Sequence, residues 1–195
     1  RIEPTWEILG FLNDNDCGPI FGFPVLGPIS REAVEEYLKD PEVYFFWGLV
    51  SVKLRADFIH RLHDLEIPEE RFATVVHPTA VVSEFAELGY GVAIQPLVNV
   101  GPGAKLDNHI CVFAQAMVGH HANLKSYSFV ANNATIGAYV QLEEGAYVGT
   151  NSTLRERVTV GQWSIVGMGS AVLESVPDNS TVVGSPAKVV VPKGK

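Results

Sequence analysis

The sequence is short of the residues that would commit it to several kinds of function. It has two cysteines, Cys17 and Cys111, and no second pair. That excludes a disulfide framework and a cysteine-built zinc site, and both read as packed thiols in a reducing cytoplasm. Basic residues are scarce: 14 Lys and Arg against 22 Asp and Glu leave a formal charge of −8. Without a basic stripe nothing grips a phosphate backbone, so nucleic acid is excluded as a partner. No apolar run approaches the roughly 18 residues of a membrane span, and no basic-then-apolar leader precedes the first strand. The expectation is a cytoplasmic chain with no membrane span. Charged side chains make up 18% of the 195 residues and apolar ones 47%, enough to fill the core of one large domain or two small ones.

What is present is self-similarity, which overrides local propensity. Stepping by six from Val82 to Val172 meets Leu, Ile or Val at all sixteen positions. Two residues before each stands a small or β-branched residue, from Ala80 to Ser170, with Ile110 alone larger than Val. Gly follows the aliphatic residue seven times, at Gly89, Gly101, Gly119, Gly137, Gly149, Gly161 and Gly167, and these are read as the places where the chain bends. A period of six fits neither a helix at 3.6 nor a plain strand at 2, but suits a short strand and a corner, repeated. Three sides close a triangular coil, so residues eighteen apart stack in columns and the aliphatic positions fill the interior. A little over five coils spaced ~4.8 Å give a prism about 25 Å tall.

Residues 1–75 read instead as alternating strand and helix, an α/β half. Glu7 to Leu12 is a strand ending in Asn13, Asp14 and Asn15, and Phe23 to Gly27 a turn or short edge strand. Ser30 is an N-cap with Glu32 in the first turn of a helix to Lys39. Val43 to Trp47 is a buried strand ended by Gly48, and an amphipathic helix runs from Ser51 or Val52 to about Asp64. Pro68 to Glu70 turns the chain into Phe72 to Val75, and His77-Pro78 opens the β-helix, residues 76–175. Residues 176–195 form a looped cap and tail over an edge that a solenoid would otherwise expose.

This order of parts, with the opening His77-Pro78-Thr79-Ala80-Val81, the uninterrupted hexads, a corner histidine at His120 and a closing Val183-Gly184-Ser185-Pro186-Ala187-Lys188, resembles the bacterial sialic-acid O-acetyltransferase and nucleotide-amino-sugar N-acetyltransferase family over essentially the whole chain. The resemblance implies a left-handed parallel β-helix behind a Rossmann-like α/β half, a homotrimer, acetyl coenzyme A as acyl donor, no metal, and a nucleotide-linked sugar as acceptor. Family members begin with a further strand and a Gly-rich turn. Here the match begins one strand late and at Arg1, so a first β-α unit is expected either to precede the sequence given or to have been lost.

Acyl transfer from a thioester needs a base for the acceptor's proton and a donor for the tetrahedral oxyanion, and one histidine with one backbone N–H supplies both. His120, two residues past Val118 at a corner, matches the family's catalytic histidine; without the resemblance it reads as a solvent-exposed corner residue. The family's next residue, an acid that orients the imidazole, is His121 here. Nine residues on, a frequent second histidine is Phe129, and seven residues back a frequent Asn is Phe113. The resemblance lays coenzyme A along a wall of Gly137, Ala138, Thr150, Gly167 and Met168, with Gly184 and Lys188 near its adenine end; turn chemistry accounts for Gly184 equally well. It sets Asn13 and Asp14 at a strand end facing ribose or base.

Column stacking joins Phe113, Phe129, Cys111 and Ala131 in one outward patch, read either as packing between subunits or as an apolar substrate pocket beside His120. His60 and His63 share a helix face without a third ligand, and His109, His120 and His121 invite comparison with trans-subunit zinc sites, but the partner residues such sites need are not evident. Two other functions stay open: a non-catalytic β-helix module for assembly or ligand sensing, and acyl transfer to a different acceptor such as an amino acid.

Overall fold

The computed structural model describes residues 6–15, 17–48 and 55–190. Each hexad becomes a two-residue strand and a turn, and each strand pairs in parallel with the strand eighteen residues on: Met117 with Thr135, Asn123 with Gln141, Phe129 with Tyr147. Three parallel sheets follow as the faces of a prism. The first face starts at Val75–Val76 and runs through Cys111–Val112, Phe129–Val130 and Tyr147–Val148. It ends in a hairpin of Thr181–Gly184 and Ala187–Val189. The second face includes Asn99–Val100, Met117–Val118 and Thr135–Ile136, and the third Lys105–Leu106, Asn123–Leu124 and Gln141–Leu142.

The aliphatic column fills the prism as its spacing requires. Every sixth residue from Ile94 to Val172 is at most 2% exposed, and each such side chain contributes on the order of 1.5–3 kcal/mol on burial. Val82 and Leu88, in the first coil, are only partly covered. The small residues two positions earlier are buried as well, and three of the four serines among them donate to carbonyls: Ser152 and Ser170 both to Gly167 O, at 2.8 and 2.6 Å, and Ser164 to Pro177 O.

The corners differ from the sequence reading. None of the seven glycines after the aliphatic column has a positive φ. The bend sits two residues later, where every sixth residue from Gly91 to Gly169 is left-handed, among them Leu97 (φ 61°), His109 (58°), His121 (56°), Tyr127 (62°), Tyr139 (59°) and Arg157 (66°). A non-glycine residue there costs on the order of 1 kcal/mol, offset by a backbone bond to the coil below, such as His121 N–H to Pro102 O at 3.0 Å and Tyr139 N–H to His120 O at 3.1 Å. The glycines before the corners answer a different demand. A Cβ on Gly119 would lie 2.7 Å from the Ala138 nitrogen, and one on Gly149 2.7 Å from the Met168 nitrogen. Coil-to-coil spacing, not chain reversal, selects glycine.

The N-terminal half has less sheet than expected. Phe11–Leu12 (β1) pairs in parallel with Val25–Gly27 (β2), and Ser30 caps the helix Arg31–Leu38 (α1), accepting from Ala33 N–H at 3.3 Å. The stretch 43–47 is not a buried strand: Phe45 alone bridges Phe72, while Tyr44 and Phe46 are exposed. The described part of the second helix is Arg55–Asp64 (α2); its expected start at Ser51 or Val52 lies outside the described residues. Among the described residues there is no continuous Rossmann-type sheet. Val34, Leu62, Leu65 and Phe72 form a small core that packs on Tyr127 of the prism.

Candidate active site

Of the three corners, the third, between the second and third faces, carries His120. Pro102, His120 and Ala138 form one column there, and Gly103, His121, Tyr139 and Arg157 the next. His120 is exposed and its Nδ1 lies 3.1 Å from Nδ1 of His121. The two rings meet at 89° and His120 meets Tyr139 at 85°, whereas His121 stacks on Tyr139 at 14° with centroids 5.0 Å apart. The Arg157 guanidinium covers the Tyr139 ring at 4.6 Å. One rung above His120, the Ala138 N–H has no acceptor among the described residues, and a Cβ on Gly119 would sit 2.7 Å from its nitrogen. Tyr139 and Arg157 were not singled out from the sequence, although counting eighteen and thirty-six residues on from His121 would have found them.

The expected acyl-carrier residues fall into two groups on one chain. Gly137 and Ala138 are at the third corner with His120. Thr150 and Met168 belong to the second corner, between the first and second faces, where the Gly169 N–H bonds the Thr150 carbonyl at 2.8 Å. Gly167 adjoins them, and the hairpin with Gly184 (φ 99°) and the exposed Lys188 continues the same face. The second face separates the groups.

Phe113 and Phe129 do pack together, with centroids 4.6 Å apart, and Phe129 stacks on Tyr147 at 5.1 Å. They lie on the first face, however, across the prism from the third corner, so within one chain they are not beside His120. The cause is the period itself: seven and nine residues from a corner position lead onto the opposite side of a three-sided coil. Phe129 registers on Cys111, whose thiol burial pushes up to about 11; Cys17, expected to be packed, is exposed.

Asn13 and Asp14 close β1, but their side chains are engaged. The Asp14 carboxylate accepts from Arg61 at 2.7 Å and from the Ile29 N–H at 2.9 Å. These hydrogen bonds, the one from Arg61 first, hold it below the usual carboxylate range. Asn13 Oδ1 accepts from the Asn15 N–H at 3.0 Å. His109 stands at the first corner, between the third and first faces, away from His120 and His121, and bonds Glu69 at 2.9 Å. Among the described residues no three His, Cys, Asp or Glu side chains gather as a metal site would need. A polar concavity of about 430 Å³ on the third face, lined by Glu87, Lys105, Asp107, Asn108 and Ser126 among others, does not include His120.

The model of the family described as the GMPPB C-terminal domain matches residues 72–183, more than half of the chain. The chain belongs to this family. No curated protein matches it in sequence. Among solved structures, this family member is similar to the acetyltransferase domain of PglB from Neisseria gonorrhoeae in complex with acetyl coenzyme A. The two are 26% identical over 93% of this chain and 85% of that one, with a TM-score of 0.80. It is similar to PerB from Caulobacter crescentus in complex with CoA and GDP-perosamine, at 25% identity over 88% and 81% of the two chains, TM-score 0.78. WeeI from Acinetobacter baumannii shares the fold at 23% identity over 93% and 85%, TM-score 0.77.

Proposed function

We propose that the chain is an acetyltransferase that moves an acetyl group from acetyl coenzyme A to an amine, or a hydroxyl, of a nucleotide-linked sugar, with His120 as general base. The observation that carries this reading is the third corner. An exposed imidazole with Nδ1 engaged stands there one rung below an Ala138 N–H that has no acceptor among the described residues. The fold that builds it is shared with a PglB domain holding acetyl coenzyme A and with PerB holding CoA and GDP-perosamine.

With an amine acceptor, the nitrogen lone pair attacks the thioester carbonyl carbon, and the C=O π pair moves onto oxygen, where the Ala138 N–H donates to it. His120 Nε2 takes a proton from the attacking nitrogen. Collapse restores the carbonyl and breaks the C–S bond, and the proton held by His120 passes to the departing sulfur. Gly137 and Ala138 would line the thioester end. Thr150, Gly167, Met168, Gly184 and Lys188 would hold the nucleotide end, with the Lys188 ammonium opposite a phosphate. These two groups occupy different corners, so a carrier touching both fits between copies of the chain, one offering its third corner and the other its second. A homotrimer of left-handed prisms supplies that groove, and the first-face aromatics belong to its packing. The N-terminal half, read as Rossmann-like, presents Asn13 and the Asp14 region to the nucleotide. Coenzyme A and nucleotide sugars set the work in the cytoplasm.

Thiol release from acetyl coenzyme A in the presence of UDP- and GDP-linked amino sugars tests the proposal. Turnover with at least one acceptor, abolished in His120→Ala, is expected. No turnover with any acceptor, or full turnover in His120→Ala, overturns it.

A further inference from the structure

Where an acid would be expected to orient the base, this chain has a second imidazole, and a four-rung column of the third corner explains how an imidazole can do that work. Two neutral imidazoles whose Nδ1 atoms lie 3.1 Å apart share one proton along that line, because one nitrogen must donate and the other accept. Two arrangements exist. If His121 donates, His120 carries its proton on Nε2 and has no free lone pair there. If His120 donates, its Nε2 lone pair is open, and the imidazolium formed on taking a second proton keeps the same Nδ1–H bond to His121.

His121 is built to stay put in either case. Its left-handed φ of 56° and the N–H bond to Pro102 O fix the backbone. One ring face lies on Tyr139, itself covered by Arg157. The other lies over Gly103, where a Cβ would come within 2.9 Å of Cδ2 and Nε2. A ring held between a bare glycine and a clamped phenol has little rotational freedom to lose on accepting a hydrogen bond, which is how a side chain in contact with solvent keeps a defined geometry.

We infer that His121 is a positioning residue: its Nδ1 accepts from His120 Nδ1–H, fixes His120 in the tautomer with a free Nε2, and holds the imidazolium that forms during transfer. The inference rests on His120 being the base, and it assigns to Tyr139 and Gly103 the task of seating His121. In the resting protein the pair reverses an intrinsic preference, since a neutral imidazole left to itself prefers its proton on Nε2.

The experiment is a long-range ¹H–¹⁵N spectrum of the imidazoles of the full chain at alkaline pH, in wild type, His121→Gly and His121→Asp, with kcat and KM measured in parallel. Gly suits the left-handed backbone while removing the acceptor; Asp restores an acceptor. In wild type and His121→Asp, His120 is expected to be protonated at Nδ1, and in His121→Gly at Nε2. For an acceptor sugar that wild type acetylates, His121→Gly should lose roughly 10- to 100-fold in kcat with KM changed less than about threefold, and His121→Asp should recover most of it. A packing role alone would let neither the tautomer nor kcat distinguish Asp from Gly. Wild-type His120 protonated at Nε2, or equal kcat in His121→Gly and wild type, overturns the inference while leaving acetyl transfer standing. Absence of turnover in wild type overturns the proposed function, and the tautomer spectrum then decides the imidazole pair by itself.

Discussion

The imidazole of His109 lies flat on the phenol ring of Tyr127, 5.1 Å between centroids and 1° from parallel. Both residues belong to the prism, and their outer contacts join it to the N-terminal half. His109 Nε2 meets Glu69 at 2.9 Å, Tyr127 OH meets His63 at 2.7 Å, and Phe72 packs edge-on against His109. Burial lowers the affinity of His109 for a proton, the opposing pull of Glu69 notwithstanding, and nearby His63 acts in the same direction as burial. Unfolded, His109 gains a proton below about pH 6.5; folded, it resists until lower pH. The native state therefore binds fewer protons in that window, and stability falls as pH falls, by at most about 1.4 kcal/mol per pH unit for one proton. Melting temperatures between pH 8 and 5 should show this decline, and His109→Asn, which tolerates the left-handed backbone, should flatten it. An equally steep decline in the variant would assign the effect to other groups.

Two glycines separated by one coil should respond oppositely in size to the same substitution. In Gly149→Ala the new Cβ would meet backbone atoms of the coil above at 2.7 Å, and overpacking of this kind costs on the order of 1–3 kcal/mol or more. Gly169 is left-handed at φ 67° but has nothing within 4 Å of a Cβ, so Gly169→Ala should cost only about 1 kcal/mol. Denaturant titrations that rank the two the other way would contradict the division of labour between spacing glycines and corner residues.

Periodicity carried most of the prism because its cause is collective. An aliphatic residue every six positions has one way to be buried, so register, columns and core were legible from Val82 to Val172. The corners were not, since a left-handed residue held by coil-to-coil hydrogen bonds tolerates Leu97, Tyr127 or Arg157 and leaves no compositional mark. The corner position of His120 was legible through its column. The placement of Phe113 and Phe129 away from it follows from which face a given offset reaches, a question that linear distance does not answer. In the N-terminal half, strand signals at Val43 to Trp47 overstated the sheet, because Phe45 bonds the backbone around Phe72 on one side only, its N–H to Arg71 O and its carbonyl to Ala73 N–H.

The buried serines make a sharper test of hydrogen bonding. Ser152 is fully buried and donates to the Gly167 carbonyl while accepting from the Ser170 N–H. Ser128 is 1% exposed, and its hydroxyl has no partner among the described residues. An unmet buried hydroxyl carries a desolvation cost of about 1–3 kcal/mol, whereas a satisfied one contributes about 1 kcal/mol. Ser128→Ala should thus be neutral or stabilising, and Ser152→Ala destabilising. Thermal melts of both variants check this, and a loss of stability in Ser128→Ala comparable to that in Ser152→Ala would mean that Ser128 is hydrogen-bonded in solution.

Lys188 separates recognition of the acyl carrier from the chemistry. It sits opposite Val183 in the closing hairpin and is exposed, so its removal should leave the fold intact. If its ammonium faces a phosphate of coenzyme A, the interaction is a partly screened charge pair worth on the order of 1 kcal/mol, or about a fivefold change in KM. Lys188→Gln should therefore raise KM for acetyl coenzyme A roughly fivefold with kcat unchanged, and added salt should narrow the gap between variant and wild type. Repeating the measurement with acetyl-dephospho-coenzyme A, which lacks the 3′-phosphate, locates the contact. A difference between wild type and variant that vanishes with this donor places Lys188 at the 3′-phosphate, and one that persists places it at the pyrophosphate. Equal KM values for wild type and Lys188→Gln with both donors would remove Lys188 from the carrier site and leave Gly184 as a turn residue alone.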